Sequence, residues 1–202
     1  MKRATVLCLA LSLFFGLEAA GQDSTATKQT IAYGSLGYLY PFSEGRGSGV
    51  NLSLVAQTKA NFLLSLGFTA VNYKDRKYDK KEAEINPPIH KIKEFNFSIG
   101  GLAPISRKVF FTYSTGPSFV KYEMPYNITI DTGGWGGIIR SSSYEYDTKE
   151  FGLFGWNAKT EFAFLLGESL GLTTGLTATA TKEVAYGGVY VGLTIGDFGL
   201  SK

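Results

Sequence analysis

The feature that most constrains this chain is a strict alternation of side chains in residues 169–196, SLGLTTGLTATATKEVAYGGVYVGLTIG. Leucine and alanine alternate with glycine and threonine in the first half. Valine, leucine and isoleucine alternate with glycine, tyrosine and threonine in the second half. Because successive side chains on a strand point to opposite faces, this period of two predicts two β-strands. One face is apolar, and the other is neither charged like a water-facing surface nor apolar like a core.

Six further segments with strand-like patterns precede this pair. They are predicted at about 30–40, 48–58, 61–73, 93–104, 108–122 and 150–166. The links after odd-numbered strands are loops, with long ones at 74–92 and 123–149, whereas the links after even-numbered strands are the short TKA, ISRK and GES. This alternation predicts an up-and-down antiparallel sheet with tight turns at one end and loops at the other.

The strand number and length point to a membrane. Strands of about ten residues cross a bilayer at a tilt, and an even strand number with short turns on one side is typical of outer-membrane barrels. In lipid the sheet must close, because an open edge leaves backbone groups unpaired. The predicted fold is therefore all-β: an eight-stranded antiparallel up-and-down transmembrane β-barrel.

A soluble eight-stranded barrel of the lipocalin type is the main alternative, and its faces are reversed, apolar inside and polar outside. The strand centres of this chain carry almost no charge, with Lys159 and Glu161 as the main exceptions. A charge at mid-depth on a lipid-facing wall costs roughly 2–4 kcal/mol, and a face of small polar residues suits a narrow lumen. The pattern favours the membrane barrel, and the lumen is expected to be filled by side chains.

Aromatic residues toward the strand ends or on the apolar face predict girdles at the two membrane interfaces. They are Tyr38, Tyr40, Phe42, Tyr73, Tyr113, Phe119, Tyr122, Phe151, Phe154, Trp156 and Tyr186.

The first residues read as an export signal. A basic start at Lys2 and Arg3, an apolar run and then small residues are typical of a secretory signal peptide. We expect a signal peptide at 1–21, a short polar segment at 22–29 and the barrel at 30–202. Cys8, the single cysteine, lies inside the apolar run, so the mature chain is expected to have no disulfide or cysteine-based metal site.

In this pattern the chain resembles the small outer-membrane β-barrels of Gram-negative bacteria, in the group of OmpX, the OmpA transmembrane domain and the opacity proteins. The signal and the GQD junction resemble those of Bacteroidota proteins. One departure is the C-terminus, GDFGLSK, because such barrels often end in an aromatic residue. The resemblance implies a protein of the bacterial outer membrane, in contact with its lipid and lipopolysaccharide.

Two classes of function remain open: a structural or adhesive barrel that binds partners through its outer loops, and a barrel that binds or passes a small solute or apolar molecule. A lipid-modifying enzyme is disfavoured, because His90 has no HxS motif beside it and Ser106 lies at the opposite end of its strand. No cofactor and no metal is expected, since one histidine cannot hold zinc alone. Without a Lys or Arg stripe, nothing indicates nucleic acid.

Three sets of residues are candidates for a specific role. Lys159 and Glu161 share the lumen face, where they would form a charged gate, bind a small ion or, as we favour, belong to an internal salt-bridge network that fills the barrel. Trp135, Ile138 and Ile139 form an apolar spot in the glycine-rich stretch 131–139, suited to a partner, to the lipid rim or to folding over the barrel mouth. The charged run 73–84, with Lys77, Lys80 and Lys81, would contact lipopolysaccharide or a protein partner, or be a solvated loop or an extension of the strands above the membrane.

Overall fold

A computed structural model describes residues 31–42, 47–58, 62–74, 86–131 and 143–198. The predicted signal peptide and the segment 22–29 lie outside these residues. The described residues contain no helix of the length and hydropathy that spanning a membrane requires.

Eight antiparallel strands pair with their neighbours in sequence order, and the last pairs with the first to close the barrel. The strands are β1 (Ala32–Pro41), β2 (Gly47–Gln57), β3 (Leu63–Lys74), β4 (Ile89–Ser106), β5 (Val109–Asp131), β6 (Ser143–Leu165), β7 (Leu170–Thr181) and β8 (Ala185–Asp197). The prediction of an eight-stranded up-and-down barrel is confirmed.

The two ends of the barrel differ, as the link lengths predicted. At one end, called here the turn end, β4 and β5 are joined through Arg107 and Lys108. At the opposite end, called the loop end, β7 and β8 are joined by a turn in which the Thr181 amide donates to the Val184 carbonyl at 2.9 Å.

Strands β4, β5 and β6 extend further toward the loop end than the side-chain pattern predicted. β4 begins at Ile89, β5 continues to Asp131 and β6 begins at Ser143, so most of the predicted loop 123–149 is strand. The prediction was wrong there because the ladder between β5 and β6 continues beyond the apolar band, from Glu123↔Glu150 to Asp131↔Ser143. Because this part of the ladder lies outside the lipid, its side chains need not alternate between apolar and polar.

Alternate side chains of each strand lie on the outer and inner faces of the barrel wall. The outward positions are apolar and exposed, as in Leu52, Phe97 and Leu193, whereas the inward positions hold buried Ser53, Ser98 and Thr194. Such a wall, oily outside and polar inside, is the reverse of a soluble barrel.

Two apolar clusters fill the two ends of the lumen. The turn-end cluster consists of Ile31, Tyr33, Val55, Leu63, Phe110, Ala163, Leu165 and Phe198. The loop-end cluster consists of Leu39, Val71, Ile92, Val120, Tyr122 and Tyr190, with Tyr73, Met124, Phe151, Leu153, Val184 and Tyr186 packed against it. Four aromatics that we expected in the interface girdle therefore point inward instead: Tyr73, Tyr122, Phe151 and Tyr186. They lie on the lumen parity of their strands.

Candidate functional site: the lumen and the loop end

A buried ion pair lies between the two apolar clusters. The Lys159 ammonium is 3.1 Å from Glu161 Oε2, and the Glu161 side chain is 1 % exposed. Two tyrosine hydroxyls also donate to this carboxylate, Tyr33 at 2.9 Å and Tyr190 at 2.7 Å. The carboxylate is thus satisfied by one cation and two neutral donors, as a buried charge requires.

Lys159 spans the lumen. Its ammonium donates to Ser53 Oγ at 2.8 Å and lies 4.9 Å from the centre of the Tyr190 ring. Since Lys159 is on β6 and Ser53 on β2, four strands away in a ring of eight, this side chain connects opposite walls.

A second buried carboxylate, Glu94 on β4, was missed by the sequence reasoning. Glu94 is 1 % exposed and accepts hydrogen bonds from Asn96 Nδ2 at 3.1 Å, from Thr179 Oγ1 at 2.9 Å and from the Tyr186 hydroxyl. Tyr186 is on β8, so this contact also connects opposite walls. No described lysine or arginine forms an ion pair with Glu94 within 4.0 Å.

The sequence did contain a signal for Glu94. It shares the parity of Asn96 and Ser98, both buried in the lumen. Because the predicted strand 4 begins at 93, Glu94 lies at its end, and only Lys159 and Glu161 stand out as charges at the strand centres.

Glycines on the lumen side make room for Tyr190. A Cβ at Gly175 would lie 2.6 Å from Tyr190 Cζ, and one at Gly37 would lie 3.1 Å from Tyr190 Cδ2. Because these glycines have no side chain, they leave room for the Tyr190 ring, whose hydroxyl donates to Glu161.

Polar groups on the outer wall satisfy each other. The Trp156 indole donates to Thr115 Oγ1 at 2.7 Å, and the Thr115 hydroxyl donates to the Asn157 carbonyl at 2.8 Å. Such pairing is what an apolar surrounding demands, since lipid offers no partner.

Beyond the barrel, β5 and β6 continue as a projecting hairpin. β6 pairs with β7 only as far as Gly155↔Thr181, while it pairs with β5 to Ser143. Among the described strands, none lies along the other edge of residues 145–154.

The two edges of this hairpin are unequal. The β5 edge beyond Glu123 carries Pro125, and its register with β6 shifts between Tyr126 and Thr129, where Asn127 has a φ of 52°. Proline and bulges disfavour the addition of a further strand. Residues 145–154 of β6 contain no proline and pair with β5 in regular register up to Tyr126↔Asp147.

The structure does not bring His90 and Ser106 together. His90 lies near the loop end, where its Nδ1 shares a hydrogen bond of 2.8 Å with the Tyr122 hydroxyl and its ring stacks on Tyr73 at 4.8 Å. Ser106 is the last residue of β4, at the turn end. Within the described ranges, no three His, Cys, Asp or Glu side chains are grouped so as to hold a metal ion.

The outer-loop candidates lie outside the described residues. They are Trp135, Ile138, Ile139, Lys77, Lys80 and Lys81.

The fold is similar to that of small outer-membrane barrels. The attachment invasion locus protein Ail of Yersinia pestis matches with a TM-score of 0.54 and 9 % identity, over 84 % of this chain and 99 % of that chain. The neisserial surface protein A matches with a TM-score of 0.50 and 12 % identity, over 82 % of this chain and 95 % of that one. No protein-family model and no curated protein matches the sequence. The chain therefore has the fold of the eight-stranded outer-membrane β-barrels.

Proposed function

We propose that this protein is a sealed, non-enzymatic barrel of the bacterial outer membrane that binds a protein partner through its projecting β5–β6 hairpin. The membrane location is supported by the apolar outer wall and by the fold it shares with outer-membrane barrels. By the usual arrangement of such barrels, the loop end faces the outside of the cell and the turn end the periplasm.

The edge of β6 along residues 145–154, beside which none of the described strands lies, is the observation that carries the binding role. Residues 145–154 offer backbone groups to an added strand, a recognition mode in which main-chain hydrogen bonds give affinity and alternate side chains give specificity. This stretch contains Glu145, Asp147 and Glu150 against Lys149. Its excess of acidic groups favours a partner strand with basic side chains.

The filled lumen argues against passage of a solute. Lys159 and Glu94 each make a contact between opposite walls, and apolar clusters lie on both sides of this polar layer. An eight-stranded barrel has an interior just wide enough for side chains to fill.

Backbone hydrogen exchange on the full chain in detergent micelles tests the binding role. The probe is a synthetic ten-residue peptide that alternates lysine with valine, and the matched control is the same peptide with prolines at alternate positions. We expect the lysine–valine peptide to slow amide hydrogen exchange in residues 145–154, and the proline peptide to leave it unchanged. Protection confined to β5 beyond Glu123, or equal protection by the proline peptide, would contradict strand addition at β6.

A further inference from the structure

The β6 edge along residues 145–154 presents two faces of different chemistry. The extra residue of the β5–β6 bulge is on β5, between Tyr126 and Thr129, so side chains keep alternating along β6. Every second one lies on the side that faces the lumen further down the strand. This inner face of the edge consists of Glu145, Asp147, Lys149, Phe151 and Leu153. It is acidic far from the membrane and apolar close to it.

The acidic side chains of the inner face are available to a basic partner. Glu145 and Asp147 are exposed, and the ion pairs formed among the described residues include neither carboxylate. Asp147 accepts a hydrogen bond of 3.2 Å from the neutral Asn127 amide. On the outer face, by contrast, Glu150 is already neutralised by Lys121 at 2.9 Å. A basic side chain of an added strand therefore gains most on the inner face.

The membrane end of the inner face meets an apolar patch where β7 stops. The patch consists of Phe151, Leu153 and Val184, which pack against the loop-end cluster and stay partly exposed. β7 pairs with β6 only as far as Gly155↔Thr181, and the chain then turns back through Val184. The position beside Leu153 that a longer β7 would have taken is therefore not filled by β7.

The acidic and apolar parts are separated along one face of the strand. Four residues lead from Asp147 to Phe151, which corresponds to about 13 Å. Between them, the Lys149 ammonium lies 5.1 Å from the centre of the Phe151 ring. Because directly opposite residues of paired strands have Cβ atoms about 5 Å apart, each side chain of an added strand would meet one particular residue of this face.

We propose that the strand added at β6 carries its basic and its apolar side chains on the same face, the basic ones opposite Glu145 and Asp147 and the apolar ones against the apolar patch. The partner is thus an extended protein segment with a basic end and an apolar end. This inference rests on the proposed binding role of the β6 edge and names the chemistry of the partner. A slip of one residue would move every partner side chain to the other face, so these contacts also fix the register.

Two ten-residue peptides of identical composition test the arrangement. Both are threonine-rich with valine at the second and fourth positions, and both are written in the direction of β7. The same-face peptide has lysine at the eighth and tenth positions, opposite Asp147 and Glu145. The opposite-face peptide has lysine at the seventh and ninth positions instead. Each is labelled at its N-terminus and titrated with the full chain in non-ionic detergent micelles, and binding is followed by fluorescence anisotropy.

We expect the same-face peptide to bind about tenfold more tightly than the opposite-face peptide, because only the first places two exposed ion pairs and the valines together. The same-face peptide with its valines changed to threonine should also bind about tenfold more weakly than the valine form. Equal affinity of the same-face and opposite-face peptides would overturn the one-face arrangement. No effect of the valines would overturn the contact with the apolar patch.

A double variant tests the acidic residues from the side of the protein. Glu145→Gln/Asp147→Asn should bind the same-face peptide about tenfold more weakly and remove its advantage over the opposite-face peptide. The matched control is Glu123→Gln/Glu168→Gln, which removes the same charge from the outer face of β5 and from the turn after β6, and should bind as the parent does. An equal loss in the control would overturn the assignment to Glu145 and Asp147.

Hydrogen exchange separates this proposal from the one on which it rests. The parent chain is measured with each peptide at saturation, and amides of residues 145–154 should be protected by both. If neither these peptides nor the alternating lysine–valine peptide slows exchange there, strand addition itself is contradicted, and the arrangement with it. Protection of 145–154 together with equal affinities contradicts the one-face arrangement alone.

Discussion

Glu161 and Glu94 are equally hidden in the lumen but are held in different ways. Each side chain is 1 % exposed. Glu161 has Lys159 at 3.1 Å and two tyrosine donors. Glu94 has an amide, a threonine and a tyrosine, all neutral. The lumen therefore contains two contacts between opposite walls. The one at Lys159 and Glu161 depends on charge, and the one at Glu94 depends on hydrogen-bond geometry.

The largest expected effect is that of Glu161→Gln. This change leaves the Lys159 ammonium buried without its counter-charge, and breaking a buried ion pair from one side costs about 3–5 kcal/mol. The free energy of unfolding in urea, measured in detergent micelles, should fall by that amount. Glu168→Gln in the exposed turn after β6 is the matched control and should stay within about 0.5 kcal/mol of the parent. A loss as small as the control's would mean that the ion pair does not stabilise the barrel.

Gly175→Ala should have an intermediate effect. The added methyl group meets the Thr160 carbonyl oxygen as well as the Tyr190 ring, so both the backbone of the wall and the ring have to shift, and such overpacking typically costs about 1–3 kcal/mol. Gly167→Ala is the control, because no atom lies within 4 Å of the Cβ it introduces. The same urea titration distinguishes them, and equal stability of the two variants would contradict the tight fit around Tyr190.

The smallest effect is expected for Glu94→Gln. An amide keeps the shape of the carboxyl, and its one oxygen can still accept from two of the three donors, so the loss should be about 1 kcal/mol, the net value of one hydrogen bond. The measurement is the free energy of unfolding of Glu94→Gln in urea, compared with that of Glu161→Gln under identical conditions. If Glu94→Gln destabilises as strongly as Glu161→Gln, Glu94 has a cationic partner and the two carboxylates are held alike.

The sequence predicted those parts of the fold on which lipid imposes a pattern. Within the bilayer outward side chains must be apolar or have their polar groups paired within the wall, so the alternation around Phe97, Trp156 and Leu193 identified both the strands and their faces. The closure of the barrel followed from the same solvent argument. Parity also placed Lys159 and Glu161 on one face.

The part above the membrane could not be predicted in the same way. The β5–β6 hairpin is held by its backbone ladder and faces water, so its side chains carry no clear alternation, and 123–149 was taken for a loop. The same error at the start of β4 concealed Glu94. Tyr122 and Phe151 are expected in the outer girdle because aromatic residues suit either face near a rim, although both lie on the lumen parity of the strands predicted at 108–122 and 150–166.

The central claim is that the apolar face of the barrel contacts lipid and the small polar face lines a closed lumen. The most direct test uses Trp156, which is outward and 56 % exposed, as the single tryptophan in a Trp135→Phe background. Its fluorescence is measured in bilayers of brominated lipid, beside a variant that moves the tryptophan into the lumen at the buried Phe110, Trp135→Phe/Trp156→Phe/Phe110→Trp. We predict strong quenching of Trp156 by the brominated chains and little quenching of the lumen tryptophan. Quenching of Trp156 by aqueous iodide instead, with none by brominated lipid, would contradict the account.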